Sequence, residues 1–197
     1  ESKDQSYVLY AMTQEQLAHV MFPLGGMRKT EVRALAEKCG FVNAAKPDSQ
    51  DICFVPDGDY AGVIEKHTGH RPVCGNFVDK SGNVLGQHKG VIHYTIGQRR
   101  GLGISAPAPL YVCDICPHTN EVVLGGNDEL FRREADVIDF NWISGAAPTH
   151  GLRCKAKIRY RHPEQWATVT PAGSSAVHIV FDEPQRAITP GQAAVLY

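Results

Sequence analysis

No stretch of this 197-residue sequence approaches the roughly 20 consecutive apolar residues that a bilayer-spanning helix needs. The opening residues, Glu1-Ser2-Lys3-Asp4-Gln5, also lack the basic start and apolar centre of a secretion signal. A cytoplasmic chain without a membrane partner is the expectation. Cysteine is sparse. The six present (Cys39, Cys53, Cys74, Cys113, Cys116 and Cys154) are too few for a disulfide scaffold of this size, and reduced thiols fit such a compartment. The nine histidines form no HxxxH or HExxH pair, and Gly25-Gly26 is not followed by the GxxxxGK[ST] pattern of a phosphate loop. Cys113-Asp114-Ile115-Cys116 followed by His118 invites a zinc or redox reading. A structural zinc site needs a second ligand pair, however, and Cys154 is the only cysteine that follows. No bound metal is expected.

Acid is missing where it matters most. Between Lys80 and Cys113 there is no Asp or Glu, and none between Phe140 and Pro163. Those segments hold nine of the 20 basic residues and none of the 21 acidic ones. The formal net charge of −1 therefore averages over a polarised chain, and polarisation is what docking onto a polyanion requires.

What is present divides by character. Residues 1–55 read as α/β, beginning with the strand-like run Tyr7-Val8-Leu9-Tyr10. Thr13-Gln14-Glu15-Gln16 is a capping-box pattern that opens a short helix running to Val20. A second helix starts at Lys29 or Thr30, carries Val32, Leu35 and Ala36 on one face, and stops at Gly40. Asp57-Gly58-Asp59 caps a third, with Tyr60, Val63, Ile64 and His67 expected inward. Beyond Gly69, turn signals separate short β-rich runs, the pattern of a small barrel or sandwich. The proline-bearing stretch Ala106-Pro107-Ala108-Pro109 suggests a boundary that, after the α/β portion 1–56, separates 57–109 from 110–197. The fold class is a mixed α/β tail followed by a mainly β portion. The sequence starts without methionine and ends on the strand-like Ala194-Val195-Leu196-Tyr197, so both ends read as cut from something longer.

Three local patterns could carry chemistry. Cys53 follows a polar turn, Lys46-Pro47-Asp48-Ser49-Gln50-Asp51, and sits between Ile52 and Phe54. A thiol at a loop-to-core boundary is reachable yet held, as a nucleophilic or sulfur-carrying cysteine must be. The same placement suits a small packing residue, and the local pattern leaves both open. The run Arg153-Cys154-Lys155-Ala156-Lys157-Ile158-Arg159-Tyr160-Arg161 alternates with period two, putting five cations on one strand face. Stacked like charges repel, so this ladder calls for an anionic partner such as an RNA backbone. In the third, glycines bracket His93, Tyr94, Gln98, Arg99 and Arg100 within His88–Ile104, a basic loop whose backbone could approach phosphates.

Taken together, five stretches resemble the tRNA-specific 2-thiouridylases (tRNA-uridine 2-sulfurtransferases), which thiolate the wobble uridine of certain tRNAs. They are Lys3-Asp4-Gln5-Ser6-Tyr7, Lys29-Thr30-Glu31-Val32-Arg33, Asp48-Ser49-Gln50-Asp51-Ile52-Cys53-Phe54, Tyr94 through Ile104, and Thr189-Pro190-Gly191-Gln192. The resemblance spans the whole chain. It implies that ATP, with magnesium, adenylates the uridine C2 oxygen, that a cysteine persulfide supplies sulfur, and that a second cysteine resolves the intermediate. On this resemblance Cys53 is the persulfide carrier. The tRNA contacts fall on Lys3, Asp4, Gln5, Arg159, Tyr160 and Gln192, with Arg99, Arg100, Lys155 and Lys157 as further candidates from the basic segments. The family's Ser-Gly-Gly-x-Asp-Ser loop is absent, so the ATP site is expected outside this chain, together with the partner cysteine. Residues 1–56 are then the tail of the catalytic domain, followed by a small central domain and a C-terminal barrel like those of elongation factors. The implied partners are tRNA and a persulfide-donating relay protein. The competing reading is an RNA-binding module in which Cys53 is purely structural.

Overall fold

The computed structural model describes residues 6–46, 55 and 58–197. Lys3, Asp4, Gln5 and Cys53 lie outside the described residues. The chain forms two compact units, one running to residue 56 and including Asn141–Ala147, the other comprising 57–140 and 148–197.

In the first unit the regular elements among the described residues are helical. Helix α1 (Gln14–Ala18) is opened by the predicted capping box: Thr13 Oγ1 accepts the Gln16 N–H at 3.2 Å and Gln16 Oε1 accepts the Thr13 N–H at 2.9 Å. Helix α2 (Lys29–Lys38) begins where the Glu31 carboxylate accepts the Arg28 N–H at 2.6 Å. It closes as a Schellman motif, with Gly40 at φ +72° and the Phe41 N–H reaching back to the Ala36 carbonyl. Asn141 joins this unit by donating to the carbonyls of Tyr10 (3.0 Å) and Met12 (2.8 Å). Tyr7–Tyr10, expected as a strand, instead lies in a 3-10 helix, Ser6–Ala11. Its β-formers pair with no strand among the described residues, and a ladder is what would make that propensity count. Only Tyr7 and Val55 are buried here, while Met21, Phe22, Phe41 and Val42 are exposed, so the described part of this unit closes no core of its own.

The second unit begins with α3 (Tyr60–Thr68), whose Asp59 cap accepts the Gly62 N–H at 3.0 Å and whose stop is the left-handed Gly69. The expected inward face is wrong. Ala61 is buried, whereas Tyr60, Ile64 and His67 are exposed. The helix lies against the 3-10 turn Val91–His93.

Two sheets follow. The first has the order β2-β1-β4-β3, from β1 (Gly75–Val78), β2 (Val84–His88), β3 (Tyr111–Cys116) and β4 (Glu121–Gly125). The β1–β4 pairing is parallel and the other two antiparallel. Phe77, Val112, Val122 and Leu124 fill its core with Tyr94 and Leu102. Within it, Phe77, His88 and Tyr94 meet edge to face at 5.1–5.5 Å between ring centroids. The second sheet has the order β5-β8-β7-β6-β9, antiparallel throughout: β5 (Phe131–Val137), β6 (Leu152–Lys157), β7 (Gln165–Pro171), β8 (Val177–Arg186) and β9 (Val195–Leu196). Its inner face is Cys154, Ala156, Ala167, Val169, Val177, Ile179 and Phe181.

Helices first and strands afterwards is the expected order of classes. The passage from one sheet to the other, however, falls between Gly125 and Phe131, later than the 109/110 boundary read from the proline run. The prolines precede β3, which pairs back into the first sheet through β4.

Candidate nucleic-acid interface

The alternation read in the basic run is real as far as Ile158: Cys154, Ala156 and Ile158 are buried, and the intervening cations face out. Strand β6 ends at Lys157, so Tyr160 is released from the inward face and is 39% exposed. A stacking tyrosine needs that release.

The ladder is not a free row of charge, however. Arg153 grips Asp182 of β8 at two points, its Nη1 donating to Oδ1 at 2.7 Å and its Nη2 to Oδ2. That bond holds the Asp182 carboxyl below its ordinary value. Lys155 pairs with Glu164 at 3.5 Å. Both cations also lie over Trp166, at 5.2 and 5.9 Å from the ring centroid, and Lys157 lies over Tyr160 at 5.7 Å. The acids come from outside the run, on β8 and the β6–β7 connection, where a scan along the sequence does not look. The result is a cation–aromatic face. Trp166 was missed in the sequence although a signal existed: it alternates with the buried Ala167 and Val169, which puts it on the ladder's side.

The basic glycine loop is organised by one side chain. Gln98 Oε1 accepts the Thr95 N–H at 3.0 Å, and its Nε2 donates to the Arg100 carbonyl at 2.9 Å. Backbone bonds between Gly97 and Val112, and between Val112 and Gln98, anchor this loop to β3. Arg99 and Arg100 are left exposed, Arg99 lining a groove with Leu102, Ile104 and Pro107. Lys80, the other cation of that segment's start, is held by Glu129 at 2.7 Å.

These pieces converge. Gly97, at φ +89°, faces Ala187, where a Cβ on the glycine would come within 3.2 Å of the alanine's. Arg186 donates to Asn127 Oδ1 at 3.2 Å and lies over the Tyr111 ring at 5.6 Å. Thr189-Pro190-Gly191-Gln192 then forms a turn, closed by the Gln192 N–H on the Thr189 carbonyl at 3.4 Å, with Gly191 at φ +80° as a type II turn requires. Strand β9 follows and pairs with the end of β6, Lys157 opposite Val195. Arg159 lies just past that pairing and reaches the turn directly, Nη2 donating to the Ala187 carbonyl at 2.8 Å and to Thr189 Oγ1. Three expected RNA-binding residues, Arg159, Tyr160 and Gln192, thus gather at one end of the second sheet, beside the Gly97 loop. Lys155 and Lys157 lie along β6 leading to it.

His162 sits in this corner, its N–H bonded to the Arg159 carbonyl at 3.1 Å. Burial, then the charges of Arg159 and Arg186, hold its imidazole below the ordinary value of 6.5. Above that pH both folded and unfolded chains carry neutral imidazole and the native state has its full stability. As the pH falls below it, the unfolded chain takes the proton first and stability drops. Melting temperature is therefore expected to fall between about pH 7 and about pH 5, and His162→Gln to flatten part of that decline. An unchanged slope in the variant rules His162 out as its source.

Among the described residues, no group of three or more His, Cys, Asp and Glu side chains is placed to hold a metal, and no helix is long and apolar enough to cross a membrane. Cys113 is buried in β3 beside Leu130 and Ala187, and burial pushes its thiol up. Burial does the same to Cys116 and Cys154, while Cys39 and Cys74 are exposed.

Three family models match in succession: a tRNA methyl transferase HUP domain over residues 1–57, a tRNA methyl transferase PRC-barrel domain over 61–126, and an aminomethyltransferase beta-barrel domain over 132–197. The last two agree with the two sheets. The chain is 50% identical over 195 residues to the tRNA-specific 2-thiouridylase MnmA of Symbiobacterium thermophilum, covering 99% of this chain and 50% of that protein. It is 53% identical over 196 residues to MnmA 1 of Thermoanaerobacter sp. strain X514, covering 100% of this chain and 54% of the relative. With MnmA of Clostridioides difficile it shares 49% over 197 residues, again 100% of this chain and 55% of the relative. The chain spans about half the length of the curated relatives it matches. Matched from end to end by these domains and relatives, it belongs to the tRNA-specific 2-thiouridylase family.

Proposed function

We propose that this chain supplies the tRNA grip and the sulfur-carrying cysteine of a tRNA-uridine 2-sulfurtransferase. In the full-length enzyme, Cys53 carries sulfur as a persulfide to the wobble uridine. Residues 1–56 belong to the catalytic domain, and the two sheets hold the RNA. A persulfide suits the task because its terminal sulfur ionises more readily than a thiol and attacks as the anion. The observation that carries the reading is the gathering of Arg159, Tyr160 and the Gln192 turn beside the exposed Arg99 and Arg100. Lys3, Asp4 and Gln5 are proposed as further tRNA contacts on the family resemblance alone.

ATP is not assigned to the start of α2. The turn before α2 has its leading N–H already taken by the Glu31 carboxylate, which repels a phosphate there. Its chemistry is assigned to the rest of the enzyme, and a relay protein donating persulfide is the proposed source of sulfur.

The grip is tested by binding an unmodified tRNA transcript across a salt series. The double variant Arg99→Ala, Arg100→Ala is expected to bind about tenfold more weakly. The slope of log affinity against log salt should become shallower by about 0.7 to 0.9 for each phosphate that is no longer neutralised. Unchanged affinity and slope would remove this loop from the interface.

A further inference from the structure

The same corner assigns Arg159 a role different from the one its charge suggests. We propose that Arg159 is a positioning residue, which fixes the Thr189–Gln192 turn so that Gln192 and Tyr160 meet the RNA, and does not itself bind a phosphate. The proposal rests on the reading of this turn as part of the tRNA surface.

Four observations carry it. The Nη2 group of Arg159 is committed to two acceptors within the protein, the Ala187 carbonyl at 2.8 Å and the Thr189 hydroxyl oxygen. The hydroxyl in turn donates to the same carbonyl at 2.9 Å, so guanidinium, hydroxyl and carbonyl form a closed knot. The Nε atom is buried and finds no acceptor. Nε and Nη2 together make one of the edges through which a guanidinium takes a phosphate at two points, and here that edge faces inward. The knot also closes on a backbone that needs support. Ala187 holds φ +56°, a left-handed conformation costly for a residue with a Cβ, and its N–H is tied to the Leu130 carbonyl at 2.8 Å. Finally, Tyr160 is the next residue in the chain. One guanidinium therefore locks the origin of the tyrosine to the turn that presents Gln192. Lysine's ammonium ends one bond short of the Nη2 position, so it cannot reach both acceptors from the same backbone and tie the same knot.

The test is tRNA-transcript binding by the full-length protein across a salt series, for Arg159→Ala, Arg159→Lys, Thr189→Val, Gln192→Ala and the double variant Arg159→Ala, Gln192→Ala. Thr189→Val removes only the hydroxyl and guards against a variant that merely fails to fold. The expected result is an affinity about tenfold weaker for Arg159→Ala and for Thr189→Val, with the salt slope of the wild type in both. Arg159→Lys, despite keeping the charge, should fall with the alanine variant. The double variant should bind no worse than Arg159→Ala alone, because Gln192 has already lost its placement there. The proposal is overturned if Arg159→Ala makes the slope shallower by about 0.7 to 0.9 while Thr189→Val is silent, which is the signature of a phosphate left without its cation. Rescue by lysine or additive effects in the double variant overturn it too. If Gln192→Ala binds like the wild type, the interface reading fails and takes the proposal with it. If Gln192→Ala is weak and the Arg159 effects are additive, only the proposal fails.

Discussion

Cys53→Ser in the full-length protein is expected to lower tRNA thiolation by at least about a thousandfold while leaving tRNA affinity within about twofold. A serine oxygen cannot carry a persulfide, and the three described thiols of the sheets are ill suited to replace it. Cys113, Cys116 and Cys154 are all pushed up by burial, and a thiol that stays protonated neither accepts nor delivers sulfur readily. Cys39 and Cys74 are exposed, so counting accessible thiols does not identify the carrier. Labelling rates mapped to individual peptides do: at neutral pH Cys53 should be modified well ahead of Cys39 and Cys154. The RNA-binding residues proposed on the second unit do not involve Cys53, which is why affinity should survive. Thiolation by the serine variant would end the persulfide assignment. Loss of folding in that variant, with ordinary labelling at Cys53, would favour the RNA-binding module in which this cysteine is structural.

The sequence was most legible where the chemistry is local. The capping box at Thr13, the Gly40 stop and the Asp59 cap each depend on residues three or four apart, and each stands as read. The face of α3 does not, because which side packs depends on the distant Val91–His93 turn. The cation ladder shows the same division. Its period of two is a property of the run, and the structure keeps it. Its apparent lack of counter-charge is not, since Asp182 arrives from β8 and Glu164 from the next connection. The site was half legible for a related reason. The motif through Gly97 and the Thr189–Gln192 motif can both be picked out singly, but their meeting at Ala187 depends on two sheets that the proline boundary had divided in the wrong place. Arg159 could be found by charge alone. Its inward commitment could be found only from the turn it holds.

Gly75→Ala is expected to be the most damaging single methyl group in the first sheet, costing about 3–5 kcal/mol. Gly75 opens β1, and a Cβ there would lie 2.0 Å from the Asn120 carbonyl oxygen and 2.7 Å from its Nδ2. Asn120 cannot step aside cheaply, because it is the hub of the corner. Its Nδ2 donates to the carbonyls of Val73 (3.2 Å) and Cys74 (3.0 Å), and its own carbonyl lies 3.2 Å from Nε2 of the buried His88. The opposite ring atom, Nδ1, accepts the Gly90 N–H at 3.0 Å, which leaves Nε2 to donate to Asn120. Moving Asn120 therefore strands a buried donor as well as crowding the backbone, and both penalties fall on one substitution. The parallel register of β1 on β4, Asn76 opposite Glu121, begins at this point. Against a typical total of about 5–15 kcal/mol, such a loss should lower the melting temperature by about 10 °C or more. Gly82→Ala is the control. It sits at φ +83° with nothing within 4 Å of a Cβ, so its cost is backbone strain alone, about 1–2 kcal/mol. Thermal denaturation of the two variants side by side decides the matter. If Gly75→Ala melts no lower than Gly82→Ala, then Asn120 yields freely, and the corner that sets β1 against β4 is not held as the geometry indicates.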